Sequence, residues 1–184
     1  MIPSRTLFQC LFYYIRHKWC GFPLNDLHQK SFESLFKGRS KKEVDHFVSA
    51  FLSENLDHYI HSPVLQRLHQ AQEQGHYVII MSSSPDFLVA PIAKHLSIQE
   101  FQATIYETDE TNHFVRISSV LGGQEKAEYV RLLTDKLRIP IESMTVYSDS
   151  HLDLPILKLA GKAVGVAPDS RLRRVCIAHG WEII

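Results

Sequence analysis

Asp149 and Asp153 stand four residues apart, where the apolar run ending at Tyr147 gives way to a helical pattern. Two carboxylates so placed suit a divalent cation, and carboxylate oxygens favour a hard one such as magnesium. A second apolar run, Tyr77 to Met81, closes on Ser82-Ser83-Ser84, whose hydroxyls and backbone N–H groups lead into a helix and suit a phosphate. Gly122-Gly123-Gln124-Glu125-Lys126 opens another helix and supplies a fixed positive charge. Hydroxyl, lysine and carboxylate, in that chain order, form an inventory for phosphoryl transfer.

Each residue also has a plainer reading. Asp149 competes with a role as a helix N-cap, where Asp and Ser are favoured, and Ser82 with a cap on the helix after Pro85. Lys126 taken alone is a solvated helix residue. Asp153 reads as steadying the loop or a metal-bound water rather than gripping a metal directly. Ser150, His151 and Asp153 hold the letters of a hydrolase triad, but near neighbours on one helix point in different directions. His58, His61 and His69 lack the Cys or Glu that would complete a zinc pattern, and read as surface histidines.

The elements that must position these groups fall into two textures. Residues 4–62 read as a helical module, with apolar positions at helical spacing in Leu7–Ile15, Leu24–Phe36 and Val44–Leu52. Ser40 with Glu43 has the form of a capping box for the third helix. Residues 63–184 alternate. Pro63 opens a helix ending at Gly75, followed by strand 76–82, helix 85–96, strand 101–106 and a hairpin or extended loop over 107–122. Helix 124–137, strand 144–147, helix 151–159, strand 163–166, helix 170–179 and a last strand at 181–184 complete the series. Such alternation implies a parallel sheet covered by helices on both faces. Ligands in such folds bind beyond the carboxyl ends of strands, where both the serine run and Asp149 fall.

The chain has 184 residues, 45% of them hydrophobic, enough for one domain with a sizeable core. Lys+Arg and Asp+Glu balance at 20 each, which argues against a general electrostatic affinity for nucleic acid or an anionic membrane. Cys10, Cys20 and Cys176 form no CxxC pair and point to a reducing, cytoplasmic setting. The run Leu7–Ile15 is too short to span a bilayer; it leaves membrane contact open without indicating it.

Ile80-Met81-Ser82-Ser83-Ser84-Pro85, Gly122-Gly123-Gln124-Glu125-Lys126 and Tyr147-Ser148-Asp149-Ser150-His151-Leu152-Asp153 resemble, in order and spacing, the second, third and fourth motifs of the haloacid-dehalogenase (HAD) superfamily. The resemblance is to subfamily IB, the phosphoserine phosphatase-like and phosphatidylglycerophosphatase-like branch, with Ser148 in place of the usual glycine of motif four. It implies a HAD-type Rossmannoid three-layer α/β/α fold with an N-terminal helical cap. It further implies a Mg2+-dependent hydrolase of small metabolite or lipid phosphomonoesters. In that scheme Ser82 and Ser83 bind phosphate, Lys126 offsets charge, and Asp149 holds magnesium with Asp153 behind it.

The family's first motif, D-x-D-x-T/V, is absent: no two aspartates in the chain are separated by one residue. That motif ends the first, central strand, so the resemblance implies that this core strand is missing and that its neighbours carry unpaired backbone groups. Each buried unpaired group costs about 1–3 kcal/mol, against a total stability of about 5–15 kcal/mol. Met1 is therefore expected to be an internal methionine of a longer reading frame, and the chain as given to be inactive. The alternative is a pseudo-phosphatase that binds a phospho-ligand or protein partner without chemistry.

Overall fold

The computed structural model describes residues 23–184. In chain order these form α1 (Leu24–Leu35), α2 (Lys41–Tyr59), α3 (Ser62–Glu73), β1 (Ile79–Pro85), α4 (Asp86–His95), β2 (Glu100–Thr108), β3 (Phe114–Ser119), α5 (Gly123–Leu137), β4 (Thr145–Ser148), α6 (Leu154–Leu157), β5 (Lys162–Gly165), α7 (Ser170–His179) and β6 (Glu182–Ile183). Single 3-10 turns precede β4 at Ile141–Ser143 and α6 at His151–Asp153. The chain has a mixed α/β fold with a helical N-terminal region and parallel strands. By contacts it divides into two units, one reaching Tyr59 and including Val78–Val120, the other comprising Ile60–Tyr77 and Leu121–Ile184.

In the first unit β1 pairs in parallel with β2, and β2 antiparallel with β3. The core is aromatic. Phe32 on α1, Phe87 on α4, Tyr106 on β2 and Phe114 on β3 are all buried. Phe32 and Phe87 meet the Tyr106 ring edge-on at 5.4 and 5.6 Å. Burying each such ring contributes roughly 1.5–3 kcal/mol, which is what seats α1, otherwise only half-buried, on the sheet. The α1–α2 turn is also strapped to the β2–β3 hairpin: Gly38 N–H donates to Phe114 O and Lys41 N–H to Asn112 O, both at 2.8 Å.

The second unit has the parallel sheet β4-β5-β6. Leu157, Ala163, Leu172 and Cys176 form its core. The Arg67 guanidinium on α3 pairs with the Glu182 carboxylate on β6, which also takes Lys162 Nζ at 2.9 Å.

The structure differs from the sequence reading in three places. The first strand begins at Ile79, not His76, and runs through all three serines to Pro85, with a register shift between Met81 and Pro85. Thr104 Oγ1 donating to the Ser83 carbonyl at 2.7 Å holds that extension against β2. The helix expected over 151–159 is a 3-10 turn followed by four α-helical residues, because Pro155 permits only a helix start there. The alternation predicted one parallel sheet. Among the described residues hydrogen bonding makes two three-stranded sheets, in which β1 and β4 are each paired along one edge only. Residues 107–122 do form a hairpin with β3 antiparallel. The apolar run Leu7–Ile15 lies outside the described residues. No described helix is long and apolar enough to cross a membrane.

Candidate functional site

Lys126 is placed by the start of α5. The Glu125 carboxylate reaches back to accept from Gly122 N–H at 3.2 Å, closing the first turn. Gly123 lets that turn lie directly on the next loop: a Cβ there would sit 1.9 Å from the Leu152 carbonyl oxygen. Only glycine permits this approach. One turn in, Lys126 is 5% exposed, and its Nζ donates to Asp153 Oδ1 at 2.8 Å. The second oxygen, Asp153 Oδ2, accepts from Ser148 Oγ at 2.8 Å, and Ser148 Oγ accepts in turn from Ser150 N–H at 3.1 Å. Ser148 is the last residue of β4 and is buried. A lysine, a carboxylate and a hydroxyl are thus locked together at the carboxyl end of β4, with charge-assisted bonds stronger than neutral ones.

Asp149 follows directly, exposed, and its carboxylate makes no hydrogen bond or ion pair among the described residues. It is not the N-cap: Ser150 takes that place, its Oγ accepting from Leu152 N–H at 3.2 Å. His151 turns away from Asp153 toward Asp169. Its Nδ1 lies 2.8 Å from Asp169 Oδ2, and its Nε2 lies 3.2 Å from the Arg171 guanidinium. Partial burial works against the charged form of Asp169. The N–H groups of His151 and Leu172 and the His151 ring outweigh it and hold the carboxyl at about 2. Asp169 also caps α7 through Arg171 and Leu172 N–H, both 2.8 Å from Oδ1.

In the other unit Ser82 Oγ accepts from Ser84 N–H at 3.1 Å, a local turn on the serine run. Ser82 does not cap α4, whose N-cap is Pro85 with no side-chain bond. The Ser83 carbonyl is held by fully buried Thr104. Asp86 Oδ1 accepts from Tyr106 N–H at 3.3 Å, tying the start of α4 to β2.

Residues 4–158 match the family model of the haloacid dehalogenase-like hydrolases. The chain belongs to that family. Among curated HAD relatives, phosphoserine phosphatase SerB1 of Mycobacterium tuberculosis is 35% identical over 112 residues, covering 60% of this chain and 36% of that protein. The histidinol-phosphatase of Neisseria meningitidis serogroup C is 27% identical over 156 residues, covering 79% of this chain and 68% of the relative. The matched region thus spans little more than a third of the first relative's length. A solved structure of a Bordetella pertussis protein of unknown function superposes with a TM-score of 0.80 at 19% identity, over 94% of this chain and 78% of that one; it shows the fold alone.

Within the HAD pattern, the structure brings Lys126 and Asp153 together beside Asp149, and places Ser82 and Ser83 in the other unit. For magnesium, the chemistry of the donors is one-sided. Asp153 is engaged by Lys126 and Ser148, leaving one unengaged carboxylate, and no group of three or more His, Cys, Asp or Glu converges among the described residues. One carboxylate does not make a magnesium site, which needs octahedral oxygen coordination. The residues described therefore do not fit the ion by themselves. Sequence reasoning missed two participants. Ser148 looked like a departure from the family glycine, yet its hydroxyl orients Asp153. Asp169 was legible as a cap from Pro168-Asp169-Ser170 before a helix, but nothing in the sequence pointed to its bond with His151.

Proposed function

We propose that the chain is the binding framework of a HAD phosphomonoester hydrolase. In this reading the Ser82-Ser83 turn binds phosphoryl oxygens and Lys126 offsets charge on the phosphate. Asp153 and Ser148 act through Lys126 by fixing its position. The observation that carries it is Lys126, almost fully enclosed, held at 2.8 Å by a carboxylate at the carboxyl end of a parallel strand. A lysine kept dry and immobile costs desolvation, and a fixed cation there serves an anionic ligand. The phosphoserine and histidinol phosphatases among the relatives support a small phosphorylated metabolite as the ligand class, in a cytoplasmic setting. The resemblance attaches magnesium to this chemistry, with Asp149 as the described residue free to contribute a ligand.

Turnover is a separate matter. The sequence holds no D-x-D pair, so no residue matches the family's nucleophile or its acid/base partner. The chain as given is therefore expected to bind phosphate without hydrolysing esters, as a pseudo-phosphatase would. Titration calorimetry with inorganic phosphate, alongside a p-nitrophenyl phosphate assay in magnesium, tests both parts. Saturable binding that weakens in Ser82→Ala and Lys126→Met, without turnover, is expected. Robust turnover would overturn the inactive assignment, and a folded chain that binds no phosphate would overturn the phosphate-site reading.

A further inference from the structure

The first unit contains a cavity of about 510 Å³, within the range of about 300–1,000 Å³ usual for small-molecule sites. Its mouth is formed by Ser83 and Ser84, on the serine run itself. Its walls are Leu27 on α1, Phe36 just beyond it, and Phe87 and Leu88 on α4. Tyr106 closes it, and the only polar side chains inside the mouth are His28, Ser31 and the Tyr106 hydroxyl. His28 Nδ1 and Tyr106 Oη lie 3.2 Å apart, already hydrogen-bonded to each other. Among the described residues no Lys, Arg, Asp or Glu lines the cavity.

We infer that this cavity takes the organic part of the phosphomonoester, and that it selects an uncharged, largely apolar or aromatic group over a zwitterionic amino-acid group. The inference rests on the phosphate reading of Ser82-Ser83 and deepens it. An ammonium or carboxylate placed here would lose its water and find no opposite charge, a burial that is costly unless paired. An aryl ring would instead meet Leu27, Phe36 and Phe87 and gain the transfer energy of its buried surface. Burial also raises the Tyr106 phenol, as does nearby Asp86, so the closing group stays neutral and presents no charge to a ligand. The His28–Tyr106 pair offers a single hydrogen-bonding point, suited to one hydroxyl or carbonyl on an otherwise apolar ligand.

Calorimetric titration of the full chain with inorganic phosphate, phenyl phosphate and O-phosphoserine tests this. Phenyl phosphate is expected to bind roughly tenfold more tightly than inorganic phosphate, and O-phosphoserine no more tightly than inorganic phosphate. Leu27→Arg, on a half-buried helix position, is expected to raise O-phosphoserine affinity relative to phenyl phosphate by about fivefold or more, a gain that misfolding cannot produce. If inorganic phosphate binds but O-phosphoserine matches or exceeds phenyl phosphate, the cavity inference fails while the phosphate site stands. An unchanged preference in Leu27→Arg also overturns it. If no phosphate species binds to the folded chain, both readings fall.

Discussion

Lys126 Nζ and Asp153 Oδ1 are 2.8 Å apart, with side chains only 6% and 16% exposed. They come from α5 and the turn after β4, 27 residues apart in the chain. Breaking such an enclosed pair by deleting one partner leaves an uncompensated charge. Lys126→Met is therefore expected to lower the unfolding free energy by about 3 kcal/mol. Asp153→Asn is expected to cost less, since its amide oxygen still accepts from Lys126 or Ser148. Urea denaturation of both variants checks the order.

Asp149 and Asp153 are the same residue type four positions apart, yet only one is held. Asp149→Ala is expected to leave stability within about 0.5 kcal/mol, while Asp153→Ala strands Lys126 and costs about 3 kcal/mol. Because a lone carboxylate is a poor magnesium site, about 1 mM magnesium is expected to leave the thermal midpoint unshifted. A clear upward shift, abolished by Asp149→Ala, would show that the ion finds more ligands than Asp149.

Gly123 is the contact point that lets α5 rest on the 3-10 turn. Gly123→Ala would drive a methyl group to 1.9 Å from the Leu152 carbonyl. The backbone must shift, costing about 1–3 kcal/mol despite alanine's better helix propensity. Gln124→Ala, next along and exposed, is the control and is expected to change stability by less than about 0.5 kcal/mol. Parallel thermal and urea melts distinguish the two.

Asp169 sets an acid limit on the second unit. Its folded-state carboxyl lies at about 2, below the ordinary value of about 3.9. A depressed carboxyl contributes stability above its unfolded pKa, and loses it as pH falls from about 4 toward about 2. The wild type is therefore expected to lose stability over that window more steeply than Asp169→Asn, which keeps an oxygen for the α7 cap but has no proton to gain. Unfolding curves at pH 5, 4 and 3 give the two slopes.

Much of this chain was readable in one dimension. The α5 and α7 spans, the apolar core of β1, the hairpin over 107–122 and the three motifs that led to the HAD family all rest on local patterns: periodicity, caps and turn residues. Chain order also sufficed to show that no aspartate pair of the D-x-D type is present. Other features depend on which backbones approach one another. That Ser150 rather than Asp149 caps the turn, that Asp153 faces Lys126 while His151 faces Asp169, and that Ser148 serves Asp153 are all decided by the close seating of α5 on the Leu152 carbonyl. The sequence alone established the chemistry available and its order, because those follow from residue type and spacing. Tertiary structure alone decided which carboxylate is bound and which is free, and that the cavity beside the serines carries no charge, because burial and hydrogen-bond partners arise only when distant segments are packed together.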